Sequence, residues 1–384
     1  MTGPLAGTLV VEVAAIGPAP FASMVLADLG AGVIRLERPD AVGDPRTDPL
    51  LRSRAAVIGL DLKAPGGVER ALSLIDHADV LIEGFRPGVA ERLGIGPEDC
   101  LSRNRRLIYG RMTGWGQTGP RSGEAGHDID YVAVAGALHP IGPSAEPPPP
   151  PLNLVGDFGG GGMLLVVGVL AALLERGRSG RGQVVDAAMV DGAALLTTMI
   201  HGMAATGLWS DERQDNLLDG AAPFYRCYRT SDGRFMAVGA LEPRFYAELL
   251  DGLGLAEAGL PAQYDRSGWP VLAQRFAEVF SGRTRSEWTA VFEGGDACVA
   301  PVLALSEAPV DPHMVQRNAF VSVEGVLQPA PAPRFSRTPA AGPAAPVSGA
   351  AAVGALRAIG LTDDEVAVVM GEKSPGPSTG RFPE

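Results

Sequence analysis

A histidine next to an acidic residue follows a glycine-rich stretch in the first half of the chain. His127 lies between Gly126 and Asp128, Tyr131 follows shortly after, and four glycines lie between residues 114 and 123. A neutral imidazole exchanges protons near pH 7, and polar groups on a loop after a strand are typical of α/β active sites. We therefore predict that His127 is an acid/base group. A surface histidine, or one that caps a helix, is the alternative.

An aspartate precedes the most specific local pattern in the sequence. Asp157 and Phe158 are followed by four consecutive glycines, residues 159–162, and then by an apolar stretch. Glycine costs roughly 0.5–1 kcal/mol in a helix, so a run of glycines indicates a backbone that something approaches closely. Asp157 could act beside a ligand as an acid/base group or as a nucleophile, and a helix N-cap is the alternative.

Several cations lie near the ends of predicted strands in the first hundred residues. Guanidinium and ammonium groups that converge at one edge of a sheet are what a polyanionic ligand requires. Taken one by one, each is more typical of a solvated surface charge. The candidates are Arg38, Arg52, Arg54, Lys63, Arg86 and Arg92.

The elements that must position these residues begin with a strand–helix–strand unit. Apolar runs and turn signals predict strands at 8–13, 33–36, 80–83 and 107–111, with helices at 18–29 and 67–77. This alternation predicts a doubly wound α/β sheet, whose ligands bind beyond the carboxyl ends of the strands. The turn after the first strand lacks the glycine spacing of a dinucleotide site. The segments expected to matter are Ala14–Pro20, Arg38–Pro39, Gly84–Pro87 and Met112–Gly119.

The second half of the chain has a different pattern of predicted elements. Five consecutive prolines end at Pro151, and buried helices are predicted after the four glycines and over Val185–Met203. A hairpin is predicted at residues 224–239, and Glu242 precedes a proline that opens a helix. Capping boxes begin at Thr284 and Thr362. We interpret residues 217–315 as a smaller α+β domain.

Length, charge and cysteine content exclude several classes of protein. The 384 residues suggest two domains, and the net charge of −12 argues against a nucleic-acid partner. Three widely spaced cysteines indicate neither a disulfide framework nor a metal cluster, and the N-terminus lacks a secretory pattern. We therefore expect a cytoplasmic protein. The apolar run from Met163 to Leu174 is too short to span a bilayer, so no membrane insertion is expected.

With these residues assembled, the sequence resembles the α-methylacyl-CoA racemase branch of the family III (CaiB/BaiF-type) CoA-transferase superfamily. The resemblance extends from Gly3 to about Ser336, and its motifs together are highly specific. These motifs are Leu60-Asp-Leu-Lys63, Glu83-Gly-Phe-Arg-Pro-Gly88, Thr113-Gly-Trp-Gly-Gln-Thr-Gly-Pro120, Ala125-Gly-His-Asp128, Asn153-Leu-Val-Gly-Asp-Phe-Gly159 and Val238-Gly-Ala-Leu-Glu-Pro243.

The resemblance implies the roles of individual residues. His127 and Asp157 would be the two acid/base groups, with Glu242 supporting His127. Coenzyme A would be part of the substrate, an acyl-CoA thioester, and neither a metal nor another cofactor is implied. The residues implied to contact the substrate are Arg38, Leu60, Asp61, Leu62, Lys63, Gly84, Phe85, Arg86, Arg92, Gly126, Asp128, Tyr131 and Asn153.

The resemblance also implies the architecture: an α/β protein with a Rossmann-like large domain and a smaller α+β domain, forming an obligate interlocked homodimer. The predicted segments are a large domain at 1–186, a connecting helix at 187–216, the small domain at 217–315, a proline-rich return linker at 316–346, C-terminal helices at 347–373 that rejoin the large domain, and a disordered tail at 374–384.

Three functions remain open on the sequence alone. The first is racemisation of 2-methylacyl-CoA thioesters, which requires two groups of similar basicity on opposite faces of the α-carbon. The second is CoA transfer, in which Asp157 attacks the thioester and no opposing histidine is needed. Transferases of the family tend to carry an aromatic residue at the position of His127, which favours the racemase. The third is a non-catalytic acyl-CoA-binding protein, for which an acid/base pair has no use.

Overall fold

The structure is a computed structural model that describes residues 2–41, 48–358 and 360–373. It divides into two units. The first comprises Met1–Ala135, Leu152–Leu196 and Gln316–Glu384, and the second comprises Gly136–Pro151 and Thr197–Val315. The predicted tail at 374–384 lies outside the described residues.

A six-stranded parallel sheet forms the centre of the first unit. Its strands are β1 (Leu9–Val13), β2 (Gly32–Glu37), β3 (Arg54–Gly59), β4 (Val80–Glu83), β5 (Ile108–Thr113) and β6 (Gln183–Ala188). They lie in the order β3-β2-β1-β4-β5-β6. The middle strands are almost wholly apolar and buried, as expected of a sheet covered by helices on both faces. The predicted α/β class is confirmed.

The helix predicted over Val185–Met203 is wrong in its first part. Residues Gln183–Ala188 form strand β6, which pairs in parallel with β5. Two short helices follow in place of one long helix. An apolar run does not by itself distinguish a strand from a helix, and here the free edge of β5 decides. Up to this point the helices are α1 (Pro18–Asp28), α2 (Gly67–Ile75), α3 (Val89–Arg92), α4 (Pro97–Arg103), α5 (Asp128–Val134), α6 (Leu164–Ser179) and α7 (Met189–Leu196).

A π-helical segment, Leu154–Met163, runs without a break into α6. Asp157 therefore lies inside a helical segment and not at an N-cap. The glycines that follow it permit close packing: a Cβ on Gly192 of α7 would lie 1.8 Å from the carbonyl oxygen of Gly160. On the other side, a Cβ on Gly162 would lie 2.6 Å from the ring of Phe21 in α1.

The continuous stretch Leu154–Ser179 is longer than the predicted apolar helix, and by length and composition it could cross a membrane. Within the first unit, however, it packs through its glycines on α1 and α7 and through α6 on β5 and β6. Leu165, Val166 and Val169 are buried in the hydrophobic core between that helix and the sheet.

The second unit contains an antiparallel sheet with helices packed on one face. The predicted hairpin is present as β7 (Tyr225–Arg229) and β8 (Phe235–Gly239), and β9 (Val299–Pro301) pairs with β8. Aromatic rings dominate its core, including those of Phe224, Phe276 and Trp288. The helices of this part of the chain are α8 (Thr198–Ala205), α9 (Pro243–Leu253), α10 (Trp269–Phe280), α11 (Arg285–Phe292) and α12 (Pro312–Gln316).

The chain then returns to the first unit. A hairpin of β10 (Phe320–Val323) and β11 (Val326–Pro329) precedes α13 (Ala350–Ala358), which packs against β3, and α14 (Asp363–Met370), which packs against α2. Arg70 of α2 donates to the carbonyl oxygens of Val368 and Val369 at the end of α14.

The division into units differs from the predicted boundaries in several places, including the following two. Residues Gly136–Pro151 group with the second unit, although they were expected in the large domain. Helix α7 groups with the first unit, although it was expected in the connecting segment. The backbone contact between Gly192 and Gly160 is the reason for the second difference, since it ties α7 to the π-helical segment.

Candidate active site

Two neighbouring clefts lie at the carboxyl edge of the parallel sheet in the first unit. The larger has a volume of about 910 Å³ and the smaller about 610 Å³. Ile16, after β1, and Phe85, after β4, line both. Their position agrees with the rule that ligands of parallel sheets bind beyond the carboxyl ends of the strands.

The larger cleft gathers the predicted substrate contacts that follow β2 and β3. Arg38 reaches solvent with 77% of its side chain exposed, and Asp40, which pairs with it at 3.8 Å, is equally exposed. Arg35 also lines the cleft, but Glu12 and Glu37 hold its guanidinium at 2.6 and 2.7 Å. Arg38 is therefore better placed than Arg35 to receive an anionic ligand.

The Leu60–Lys63 segment forms a tight turn at the rim of the same cleft. Leu60 is buried in the core below, and the backbone N–H of Lys63 donates to Oδ1 of Asp61 at 2.8 Å. Such a turn fixes the backbone while leaving the ammonium group of Lys63 exposed. Leu60, Asp61, Leu62 and Lys63 all line this cleft, as predicted for substrate contacts.

The smaller cleft brings the two predicted acid/base residues together. His127 and Asp157 both line it, although they are 30 positions apart in the sequence. The other predicted contacts that line it are Gly84, Phe85, Arg86, Gly126, Asp128, Tyr131 and Asn153.

Asp157 has a partly buried carboxylate that accepts a hydrogen bond from a nearby amide. Nδ2 of Asn153, one helical turn earlier, donates to Oδ2 of Asp157 at 3.2 Å. Burial raises the pKa of Asp157 above its usual value, and the negative charge of Asp128 acts in the same direction. The Asn153 hydrogen bond and His127 lower it in part. The pKa of this aspartate is thereby brought closer to that of a histidine, as paired acid/base groups require.

His127 occupies the N-cap position of α5, but its side chain makes no capping hydrogen bond. Its backbone N–H donates instead to Oδ2 of Asp130 at 2.9 Å. The imidazole is exposed at the cleft. The ring therefore lies where an acid/base group could reach a ligand in the cleft.

Asp128 connects the segments that carry His127 and Asp157, which its predicted role as a substrate contact did not anticipate. It is buried, and its Oδ1 accepts the backbone N–H of Asp157 at 2.7 Å. A Cβ on Gly156 would lie 2.4 Å from that oxygen, so glycine is required there. Among the described residues, Oδ2 of Asp128 has no hydrogen-bond partner.

Tyr131 and Trp115 form an aromatic wall of the smaller cleft. Their rings meet edge to face with centroids 4.8 Å apart. A Cβ on Gly114 would lie 2.1 Å from the Tyr131 ring, and one on Gly126 would lie 2.7 Å from it. Glycine at these two positions therefore allows the ring to pack against the loop. Trp115 was not predicted as a site residue, although it lies within the glycine-rich motif.

The remaining predicted residues lie in different places. Arg86 is exposed in the smaller cleft. Arg92, in α3, lines neither cleft, and its Nη1 would be 3.2 Å from a Cβ on Gly88. Glu242 belongs to the second unit and occupies the N-cap position of α9 without a side-chain capping hydrogen bond. Burial and the charge of Glu242 raise the pKa of Cys298. Within the described residues, no group of three or more histidine, cysteine or acidic side chains could hold a metal ion.

Comparison with known proteins identifies relatives over almost the whole chain. A family model described as CoA-transferase family III matches residues 5–351. The alpha-methylacyl-CoA racemase of Mus musculus is 47% identical over 365 residues, covering 94% of this chain and 95% of that protein. The alpha-methylacyl-CoA racemase of Homo sapiens is 45% identical over 337 residues, covering 88% and 87%.

A solved structure is also similar to this chain over most of its length. A CAIB/BAIF family protein from Brucella suis superposes with a TM-score of 0.76 at 26% sequence identity, covering 89% of this chain and 95% of that one.

Proposed function

The chain belongs to CoA-transferase family III, and we propose that within this family it is a racemase of 2-methylacyl-CoA thioesters. The observation that carries the proposal is the pairing of His127 with a partly buried Asp157 in one cleft. The similarity to two racemases at 45–47% identity supports the same activity.

The reaction inverts the carbon next to the thioester carbonyl. One group removes the α-proton from one face, and the other delivers a proton to the opposite face. In one direction Asp157 is the base and the protonated His127 is the acid, and in the other direction the roles are exchanged. Asp157 suits this exchange because burial raises its pKa.

The enolate formed between the two steps needs hydrogen-bond donors aimed at its oxygen. The first turn of α5 leaves backbone N–H groups without helical partners, and Asp128 lies at its first position in the smaller cleft. The backbone N–H of Asp157 is less suited, because it already donates to Asp128. We assign enolate stabilisation to the start of α5. The proton carriers are side chains, so this chemistry uses no cofactor beyond the CoA of the substrate.

The CoA moiety is assigned to the larger cleft, where Arg38 and Lys63 offer exposed cations. Phe85 lines both clefts and thus marks the path from the CoA moiety to the acyl group. Arg86 would contact the substrate from the smaller cleft. Arg92 retains its predicted role only if it turns toward the ligand from α3.

An interlocked homodimer completes the proposal. In the family arrangement that the sequence resembles, Glu242 of one subunit would support His127 of the other by fixing its tautomer and stabilising its charged form. The first unit also exposes large apolar side chains that a second subunit would cover. These are Val167, Leu174, Leu195 and Leu196.

The decisive experiment follows a chirally pure 2-methylacyl-CoA in deuterated water. The racemase should convert it into a mixture of the (2R) and (2S) epimers and introduce one solvent deuterium at the α-carbon without any acyl acceptor. A CoA-transferase would leave the stereocentre intact and move CoA to an added carboxylic acid. An acyl-CoA-binding protein would do neither, so an unchanged configuration at the α-carbon contradicts the proposal.

A further inference from the structure

Glu83 is a fully buried carboxylate immediately beside the two clefts but outside the lining of both. It is the last residue of β4, and its side chain has 0% exposure. The chain continues from it directly into Gly84, Phe85 and Arg86, which line the smaller cleft.

The two oxygens of Glu83 hold different parts of the first unit. Oε2 accepts the backbone N–H of Phe85 at 2.6 Å, and Oε1 accepts Nε of Arg111 at 3.0 Å. Nη1 of Arg111, on β5, in turn binds Glu91 of α3 at 2.9 Å. One buried carboxylate therefore ties the backbone of Phe85 to β5 and, through Arg111, to α3.

This network is an expensive way to stabilise a fold. Removing a carboxylate from water costs several kcal/mol, and well-packed apolar residues often replace a buried ion pair without loss of stability. Burial raises the pKa of Glu83 to about 6 even though Phe85 and Arg111 both favour its charged form. Nη2 of Arg111 is buried without a partner among the described residues. The network is better explained by its effect on geometry, because it holds the backbone that follows β4 in place.

The backbone that follows Glu83 is also restricted by close packing. A Cβ on Gly84 would lie 2.8 Å from the Cβ of Ala15, so the strand end passes directly against the loop after β1. Phe85 follows and is shared by both clefts, and Arg86 follows Phe85. A shift at Phe85 would therefore displace the junction of the clefts and the cation next to it.

We propose that Glu83 is a positioning residue for the CoA thioester: by accepting the Phe85 N–H and anchoring Arg111, it holds Phe85 and Arg86 in the geometry that binds the substrate. This inference rests on the proposed function. Glu83 itself touches neither the substrate nor the reacting atoms.

The test measures binding of free coenzyme A by titration calorimetry, together with KM and kcat for racemisation. Glu83→Gln replaces one accepting oxygen with an NH2 group, which only donates, so the side chain can accept from Phe85 or from Arg111 but not from both. We expect the Kd for coenzyme A and the KM to rise about tenfold while kcat changes less than about twofold. Arg86→Ala should raise the same two quantities.

Asp79 provides a matched control at the other end of the same strand. It directly precedes β4 and likewise accepts one backbone N–H, from Leu9, and one arginine nitrogen, from Arg176, each at 2.8 Å. Asp79→Asn is expected to lower thermal stability but to leave the Kd for coenzyme A unchanged. Equal weakening of binding in both variants would reduce the role of Glu83 to general stability and overturn the inference.

A milder variant covers the case in which Glu83→Gln does not fold. Glu91→Gln alters only the outer end of the network, where the side chain is 45% exposed, and is expected to fold and to raise the Kd two- to threefold. An unchanged Kd in this variant contradicts the inference. If wild-type protein binds no coenzyme A at all, the proposed function fails instead, and the two failures are thus distinguished.

Discussion

At the scale of single residues, the proposed acid/base groups Asp157 and His127 lie in different environments. The carboxylate is partly buried, which raises its pKa, whereas the imidazole stands exposed at the cleft. A racemase needs two groups that each exist in both protonation states near neutral pH. Burial brings the pKa of Asp157 toward that condition.

His127→Ala and Asp157→Ala should each reduce racemisation by at least about 10²-fold, since general acid–base groups contribute roughly 10²–10⁴-fold. Each variant can still exchange the α-proton of the enantiomer that faces its surviving base. Chiral chromatography of the acids released from the thioesters measures the first effect, and mass spectrometry after incubation in deuterated water measures the second. Circular dichroism checks the fold. Racemisation at the wild-type rate in either variant would disprove the two-base assignment.

Asn153 and Asp128 should move the pH dependence in opposite directions. The Asn153 amide favours the charged form of Asp157, so Asn153→Ala should raise the pKa of Asp157 further. Asp128→Asn removes a negative charge that raises this pKa but retains an oxygen to accept the Asp157 N–H, so the pKa should fall. With the enantiomer that Asp157 deprotonates, the acidic limb of kcat/KM against pH should shift upward in the first variant and downward in the second. Shifts of the same sign would contradict this account.

At the scale of elements, the π-helical segment and α7 determine where Asp157 stands. The two backbones touch at Gly160 and Gly192, so the position of the carboxylate depends on a helix that contributes no predicted catalytic residue. The run of glycines after Asp157 suggested close approach to the backbone. The structure shows that helices α1 and α7 make this approach.

Gly192→Ala should destabilise the protein by about 1–3 kcal/mol and lower kcat, because overpacking forces the two backbones apart. Its Cβ would lie 1.8 Å from the Gly160 carbonyl oxygen. Gly177→Ala in α6 is the control, since a Cβ there meets nothing within 4 Å, and the change should stabilise the helix by up to about 1 kcal/mol. Urea unfolding and racemisation assays test both. A Gly192→Ala variant as stable and active as wild type would show that this contact does not position Asp157.

At the scale of the whole molecule, the proposed site requires two chains. Glu242 lies in the second unit, whereas His127 and Asp157 lie in the first. If Glu242 of the partner supports His127, removing it should lower the histidine pKa and loosen the ring. The support would then come from the assembly and not from the single fold.

Mixing inactive His127→Ala subunits with inactive Glu242→Ala subunits tests this arrangement. In a heterodimer, the wild-type His127 of one chain would meet the wild-type Glu242 of the other, so one intact site should form. Racemisation should return after the chains are unfolded and refolded together. No recovery in heterodimers verified by mass would place both residues on one chain or remove Glu242 from the mechanism.

The sequence alone determined the features that depend on neighbouring residues. Apolar runs and turn signals located β1, β2, β4 and β5, and the cap signals at Thr284 and Thr362 correctly marked helix starts. Because strand ends share one edge of a parallel sheet, the strand pattern was enough to assign the loops that carry Arg38 and Arg86 to a binding edge. The roles of the individual site residues stay predictions.

Only the tertiary structure decided features that depend on contacts between distant segments. The segment at β6 forms a strand because it pairs with the edge of β5. Asp128 links the segments of His127 and Asp157 because its carboxylate accepts the Asp157 N–H, 29 positions away in the sequence. Glu83 acquired its partners from β5 and from the loop that follows it. Local sequence patterns indicate helices, strands and turns. The packing of one backbone against another leaves no such pattern in either segment, so it could not be predicted from the sequence.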